Sequence, residues 1–209
     1  MTAEPVQLGG MRTPDWIEDP KRLGFTLARY KFVAKMLTGR QHVLEIGCGD
    51  GFATRIVAQH VHTITAIDNH PNLIDDAQRL DPGGHHIRWL HHDIMQGPPG
   101  GGYNAVYALD VLEHVPRAYE DTFMWNIIRS LAPHAAAIFG MPSLESQPYA
   151  SPNSIREHVN CKTEQELRNT MQRWFHNVFI FSMNDETLHT GYGPMSHYRI
   201  ALCTERKQQ

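Results

Sequence analysis

Cysteine is scarce, and the three that occur, Cys48, Cys161 and Cys203, make neither a C-x-x-C pair nor an even set. A disulfide framework is thereby set aside, and a reducing compartment is expected. No apolar run approaches the ~20 residues of a membrane helix. The opening MTAEPVQLGGMRTPDW lacks both a basic start and an apolar stretch, so no secretory signal is expected and the cytoplasm is the expected location. Basic residues are scattered and the net charge is −3, so the electrostatic footprint of a nucleic-acid binder is missing. The 14 histidines form no tract. What remains is a chain of 209 residues, read as one domain, 1–209, with length enough for a sizeable core.

The stretch around which the chain is organised is 42–51, HVLEIGCGDG. A short apolar run, His42 to Ile46, meets Gly47-Cys48-Gly49-Asp50-Gly51, and the following FATRIVAQH reads as a helix. Strand, glycine turn and helix is the layout that seats a nucleotide-like ligand at a helix N-terminus, where side chains would block the backbone's approach. The spacing is G-x-G-x-G, with Phe52 where a dinucleotide G-x-G-x-x-G carries its third glycine. A nicotinamide enzyme is the competing reading of this turn. A second strand, 63–67, ends at Asp68, where an acid can take ribose hydroxyls. A third leads into His91-His92-Asp93-Ile94, and a fourth, 105–109, into Asp110. Acids thus recur at the C-terminal ends of successive strands, the edge where open α/β sheets bind ligands.

In this order LEIGCGDG, AIDNH, HHDI and ALDVLEHVP resemble the class I S-adenosylmethionine-dependent methyltransferases, in particular the small-molecule O-methyltransferases whose fourth motif reads LEHVP. The resemblance spans roughly residues 24–142. It implies a Rossmann-like α/β fold: a seven-stranded, mostly parallel sheet with helices on both faces and an antiparallel edge strand. It further implies that Glu45, Gly47, Cys48 and Gly49 lie along the methionine part of S-adenosyl-L-methionine. Asp68 with Asn69 would take the ribose, and Asp93 with Ile94 the adenine. Leu109 and Asp110 would close the pocket near the sulfonium.

Leu23, Leu27, Tyr30, Ala34 and Leu37 recur at helical spacing and predict a helix to about Thr38, whereas 1–16 reads as loose. By resemblance 1–40 forms a lid, from which Arg29 and Tyr30 meet the cofactor carboxylate and sulfonium. An amphipathic helix with a solvated arginine is the plainer alternative. Pro71 opens a helix to Leu80, stopped by Asp81-Pro82-Gly83-Gly84. Residues 118–131 read as helix and 135–140 as strand. Thr163 and Glu166 form a capping box, and 178–182 and 198–203 read as the last strands. The stretch 143–161 before the capping box, and 183–197 between these two strands, read as polar loops that reach the acceptor.

A sulfonium methyl is already electrophilic, so the protein must align the acceptor, exclude water and take its proton. His114 and His158 are the candidate bases, since imidazole titrates near working pH; Asp110 joins them as a catalytic candidate. A structural turn residue is the competing reading of His114, and His189 and His197 read as structural. Asp110, Glu113 and His114 share one side of a helical turn, and with His158 they could hold Mg²⁺ or Mn²⁺. The set resembles the E-x-x-E-H plus distant histidine of metal-dependent small-RNA 2′-O-methyltransferases, with Asp110 in place of the first glutamate. Neither a Pro-Cys nucleophile nor an Asn/Asp-Pro-Pro-Tyr motif follows the fourth strand, which argues against cytosine C5 and base N-methylation. The expected activity is methyl transfer to an oxygen of a small polar metabolite, such as a sugar or a nucleotide-linked or phosphorylated glycan precursor. Tyr149, Ser151, Asn153, Arg156 and His158 would supply hydrogen bonds to it. An RNA 2′-O-methyltransferase and a cofactor-binding protein without turnover stay open as alternatives.

Overall fold

A computed structural model of the chain describes residues 7–81, 83 and 86–208. Its strands are β1 (His42–Ile46), β2 (Thr63–Asp68), β3 (Ile87–His91), β4 (Tyr103–Leu109), β5 (Leu131–Pro142), β6 (Phe175–Asn184), β7 (Thr187–His189) and β8 (Tyr198–Arg206). They form one sheet in the order β3-β2-β1-β4-β5-β8-β6-β7. The first five strands in that order run parallel, and the β5-β8, β8-β6 and β6-β7 pairs are antiparallel. β4 and all but the first residue of β1 are largely buried on both faces, as near-continuous apolar runs in a parallel sheet require.

The helices are α1 (Arg12–Glu18), α2 (Lys21–Met36), α3 (Thr54–Ala58), α4 (Pro71–Leu80), α5 (Glu120–Ser130), α6 (Pro152–Glu157) and α7 (Glu164–Gln172). One sheet face is covered by α2, α3 and α4 through Val33, Val57 and Ile74. The other is covered by α5 and α7 through Phe123, Ile127, Leu167 and Met171. The expected layering is therefore present, and none of the described helices is long and apolar enough to cross a membrane. The expected capping box is closed in both directions: Glu166 N–H donates to Thr163 Oγ1 at 3.2 Å, and Thr163 N–H donates to Glu166 Oε2 at 2.9 Å.

Three expectations change. The sheet has eight strands rather than seven, because Thr187–His189 turns back onto β6 through Asp185 (φ +50). Three residues are too few to show an alternating pattern, so the segment reads as loop in sequence. The stretch 143–161 is not an open loop but a 3₁₀ segment (Leu144–Tyr149) followed by α6. Each begins at a serine whose hydroxyl accepts an N–H three residues on, Ser143 from Ser146 and Ser151 from Ser154, both at 3.1 Å. Finally, α1 begins inside the stretch 1–16 read as loose; residues 1–6 lie outside the described residues, as do Pro82 and Gly84 of the expected stop.

Candidate active site

The strand order reverses between β1 and β4, and the carboxyl ends of these strands open the crevice such a switch creates. It holds a cleft of about 680 Å³. Gly47, Gly49, Asp68, Asn69, Asp93, Ile94 and Asp110 all line it, so the acids from β2, β3 and β4 converge on one cavity. Gly47 and Gly49 have φ of +74° and +57°, and a Cβ on Gly49 would stand 2.6 Å from Met11 Sδ. Asp68 is fixed from both sides, Oδ2 accepting the Gly49 N–H and Oδ1 the His70 N–H, each at 2.9 Å. Asp93 Oδ1 accepts the Met95 N–H at 2.9 Å and so caps the 3₁₀ turn Ile94–Gln96.

The other expected cofactor residues stand behind this lining. Glu45, Cys48, Leu109 and Tyr30 are buried, and the Tyr30 hydroxyl donates to Glu45 Oε1 at 2.8 Å. Burial pushes the Glu45 carboxyl up to about 7, against the pull of the Thr54, Tyr107 and Tyr30 hydroxyls. Burial likewise raises the Cys48 thiol. Arg29 reaches from α2 to Asp110, Nη1 donating to Oδ2 at 2.9 Å and Oδ1 at 3.1 Å, and its guanidinium lies 3.7 Å over the Tyr198 ring. Asp110 itself sits at φ +57, in the left-handed region that non-glycine residues rarely occupy.

Beyond Asp110 the chain buries a carboxyl. Glu113 is 0 % exposed, and among the described residues neither of its carboxyl oxygens receives a hydrogen bond. Burial, then the charge of Asp110, pushes this carboxyl well above the usual range. One ligand atom each from Glu113, His114 and His158 lie within 4.8 Å of one another. The two imidazoles meet edge to face, centroids 5.2 Å apart. Backbone bonds bring them together: Val159 and Asn160 N–H both donate to the Glu113 carbonyl at 2.9 Å. The Glu157 carbonyl faces His114 Nδ1 at 3.2 Å, as the turn-residue reading expects, and His114 also lines the cleft. Burial and the neighbouring His114 lower the His158 pKa. Asp110, expected as a fourth ligand, stays outside this cluster, because Arg29 already holds its carboxylate. His189 is bound within the β6-β7 hairpin by Asn184 at 2.9 Å and does not line the cleft.

Among the lining residues, sequence reasoning missed Met11, His70, His92, Tyr119 and Glu157. It also missed Asp50, whose Oδ2 accepts the N–H groups of Met11 and Arg12 at 3.0 and 3.3 Å. That contact hangs α1 on the glycine turn and brings Met11 over the cleft. Nothing in sequence marks it, since the partners are 39 positions apart.

The profile of a methyltransferase domain family matches residues 43–134. An uncharacterized methyltransferase of Mycobacterium tuberculosis is 38 % identical over 170 residues, covering 78 % of this chain and 79 % of the relative. A ubiquinone biosynthesis O-methyltransferase of Rickettsia akari is 22 % identical over 142 residues, covering 68 % and 56 %. Among solved structures, the N-methyltransferase NodS of Bradyrhizobium japonicum with S-adenosyl-L-homocysteine superposes with a TM-score of 0.62 at 20 % identity, covering 93 % of this chain and 91 % of that one. With acids of three parallel strands gathered around a glycine turn in one cleft, the chain belongs to the class I S-adenosylmethionine-dependent methyltransferases.

Proposed function

We propose that this methyltransferase methylates an oxygen of a small polar acceptor, with Glu113, His114 and His158 serving deprotonation. The observation that carries the reading is the buried Glu113 carboxyl, without a hydrogen bond among the described residues and beside two imidazoles, of which that of His114 lines the cofactor cleft. A buried polar group without a partner costs stability, and sites of function are where such a cost is retained. S-adenosylmethionine supplies an electrophilic methyl group. Asp68 takes the ribose and Asp93 the adenine, while α1, α2 and 143–161 close over donor and acceptor. The same three residues suit a divalent cation: carboxyl oxygens lacking donors and two imidazoles form a mixed N/O ligand set. A cation there would lower the pKa of an acceptor hydroxyl.

A second reading is N-methylation, since the unpartnered carboxyl would equally receive an acceptor ammonium and NodS is an N-methyltransferase. The two are separated by offering sugars and sugar phosphates against amino sugars and amines, with and without EDTA, and locating the methyl group by NMR. Product on hydroxyls, with Glu113→Gln lowering kcat on the order of a hundredfold at unchanged S-adenosylhomocysteine affinity, is the expected result. Turnover on amines alone would replace the first reading by the second.

A further inference from the structure

We infer that Gln147 is a positioning residue that holds His158 in the Nδ1–H tautomer and so makes Nε2 its basic nitrogen. The inference rests on the reading in which His158 serves the methyl transfer from its neutral form. The primary amide of Gln147 could in principle face the ring with either its oxygen or its nitrogen. Its surroundings decide. The nitrogen donates to the Ser143 carbonyl at 3.2 Å, and a carbonyl can only accept. The amide oxygen is therefore the atom 3.0 Å from His158 Nδ1, and it too can only accept. Nδ1 must carry the hydrogen, which leaves the lone pair on Nε2.

The platform under Gln147 is rigid. Ser143 is fully buried; its hydroxyl donates to the Ser196 carbonyl at 2.6 Å and its N–H to the His197 carbonyl at 3.0 Å. Two residues before Gln147, Glu145 pairs at 2.8 Å with Arg199 of β8, itself 0 % exposed. The 3₁₀ segment is thus tied to the sheet, and Gln147 transmits that fixity to the ring. His114 is placed in the same tautomer by the Glu157 carbonyl at 3.2 Å. That acceptor is backbone, so among these two contacts only the Gln147 one can be removed by substitution. Neutral imidazole tautomers are close in intrinsic stability, and one ordinary hydrogen bond changes their ratio about fivefold. Without Gln147, a large share of His158 would present a hydrogen where a lone pair is needed. An imidazole that serves a metal or a proton acceptor commonly has its second nitrogen fixed in this way.

The test uses the full chain, labelled with ¹⁵N at histidine and treated with EDTA, at a pH where imidazole is neutral. Long-range ¹H–¹⁵N spectra report which nitrogen carries the hydrogen, and His158→Asn assigns the signals. The wild type is expected to show His158 with the hydrogen on Nδ1. Gln147→Leu is expected to shift the population toward Nε2–H about fivefold, whereas Gln147→Glu, which keeps an acceptor oxygen, restores the wild-type pattern. In turnover, Gln147→Leu lowers kcat at unchanged S-adenosylhomocysteine affinity. A wild-type His158 with its hydrogen on Nε2, or a tautomer ratio unmoved in Gln147→Leu, overturns the inference. If Gln147→Leu does not fold, the wild-type spectrum alone decides. Because the spectra need no methyl donor, they stand apart from the methyl-transfer reading. Nδ1–H in a protein that methylates no hydroxyl would sink that reading and leave the tautomer assignment in place.

Discussion

Arg29 and Asp110, 81 positions apart in sequence, are joined by one guanidinium nitrogen that meets both carboxylate oxygens. The pair fastens α2 to the end of β4 and occupies the acid that sequence spacing had grouped with Glu113 and His114. Charge neutralised by a guanidinium is unavailable to a cation, so the proposed ligand set contracts to Glu113, His114 and His158.

Asp110→Asn is therefore expected to hold Mn²⁺ affinity within about threefold of wild type, since asparagine also tolerates the left-handed backbone. Glu113→Gln is expected to weaken it about tenfold or more, as loss of a ligand should exceed the loss of a supporting contact. Isothermal titration of EDTA-treated protein with Mn²⁺ measures both. Equal losses would return Asp110 to the ligand set, and no heat in the wild type would leave deprotonation to the histidines alone.

Glu45 ties stability to pH. Its carboxyl is pushed up to about 7 in the fold, against 4.5 when exposed, so between these values the folded chain holds a proton that the unfolded chain has released. The contribution of the neutral carboxyl is complete below about 4.5 and is lost as pH rises through about 7, on the order of 3 kcal/mol in all. Glu45→Gln cannot titrate, yet still accepts from Tyr30. Urea unfolding should show the variant gaining on the wild type from pH 5 to pH 8. A difference that stays constant across this range would mean that Glu45 titrates normally.

The sheet and the cofactor cleft were legible because they rest on local periodicity and on a fixed edge. An apolar run must end somewhere, and Asp68, Asp93 and Asp110 mark where β2, β3 and β4 do so. The cluster beyond was half legible: helical spacing placed Glu113 and His114 together, and the long 143–161 connection offered His158. What spacing could not supply were contacts between distant segments, such as Arg29 with Asp110, Asp50 with Met11, or Gln147 with His158. Each depends on tertiary packing that brings unrelated stretches of chain side by side. The serine caps at 143 and 151 were a local signal that the polar composition of the segment obscured.

Gly49 tests the turn itself. With φ at +57 and Met11 Sδ 2.6 Å from where a Cβ would stand, Gly49→Ala brings backbone strain of about 1–2 kcal/mol and displaces Met11. The Gly49 N–H that holds Asp68 moves with it. Calorimetry with S-adenosylhomocysteine is expected to show at least about a tenfold loss of affinity. Gly83→Ala, also at positive φ but with no atom of the described residues within 4 Å of the added Cβ, serves as the control that costs stability without touching the cleft. Unchanged affinity in Gly49→Ala would separate the turn from cofactor binding.

Lys162 and Glu120 form a buried ion pair at 2.6 Å, with side chains 3 % and 10 % exposed. Asn160 completes it, accepting from Lys162 Nζ at 3.0 Å and donating to Glu120 Oε2 at 2.8 Å. Removing one partner strands the other charge away from water, so Lys162→Met should cost about 3–5 kcal/mol, whereas Lys162→Met with Glu120→Leu should cost far less than the two single changes added. The pair also bears on chemistry, because Asn160 N–H donates to the Glu113 carbonyl and His158 lies two residues away. If the network is what presses the 157–162 segment against Glu113, the double variant should regain most of the stability but little of the kcat. Urea unfolding and steady-state rates on the three variants read these two quantities separately. Additive stabilities would mean that the ion pair is solvated, and a double variant with wild-type kcat would mean that backbone bonds alone place His158.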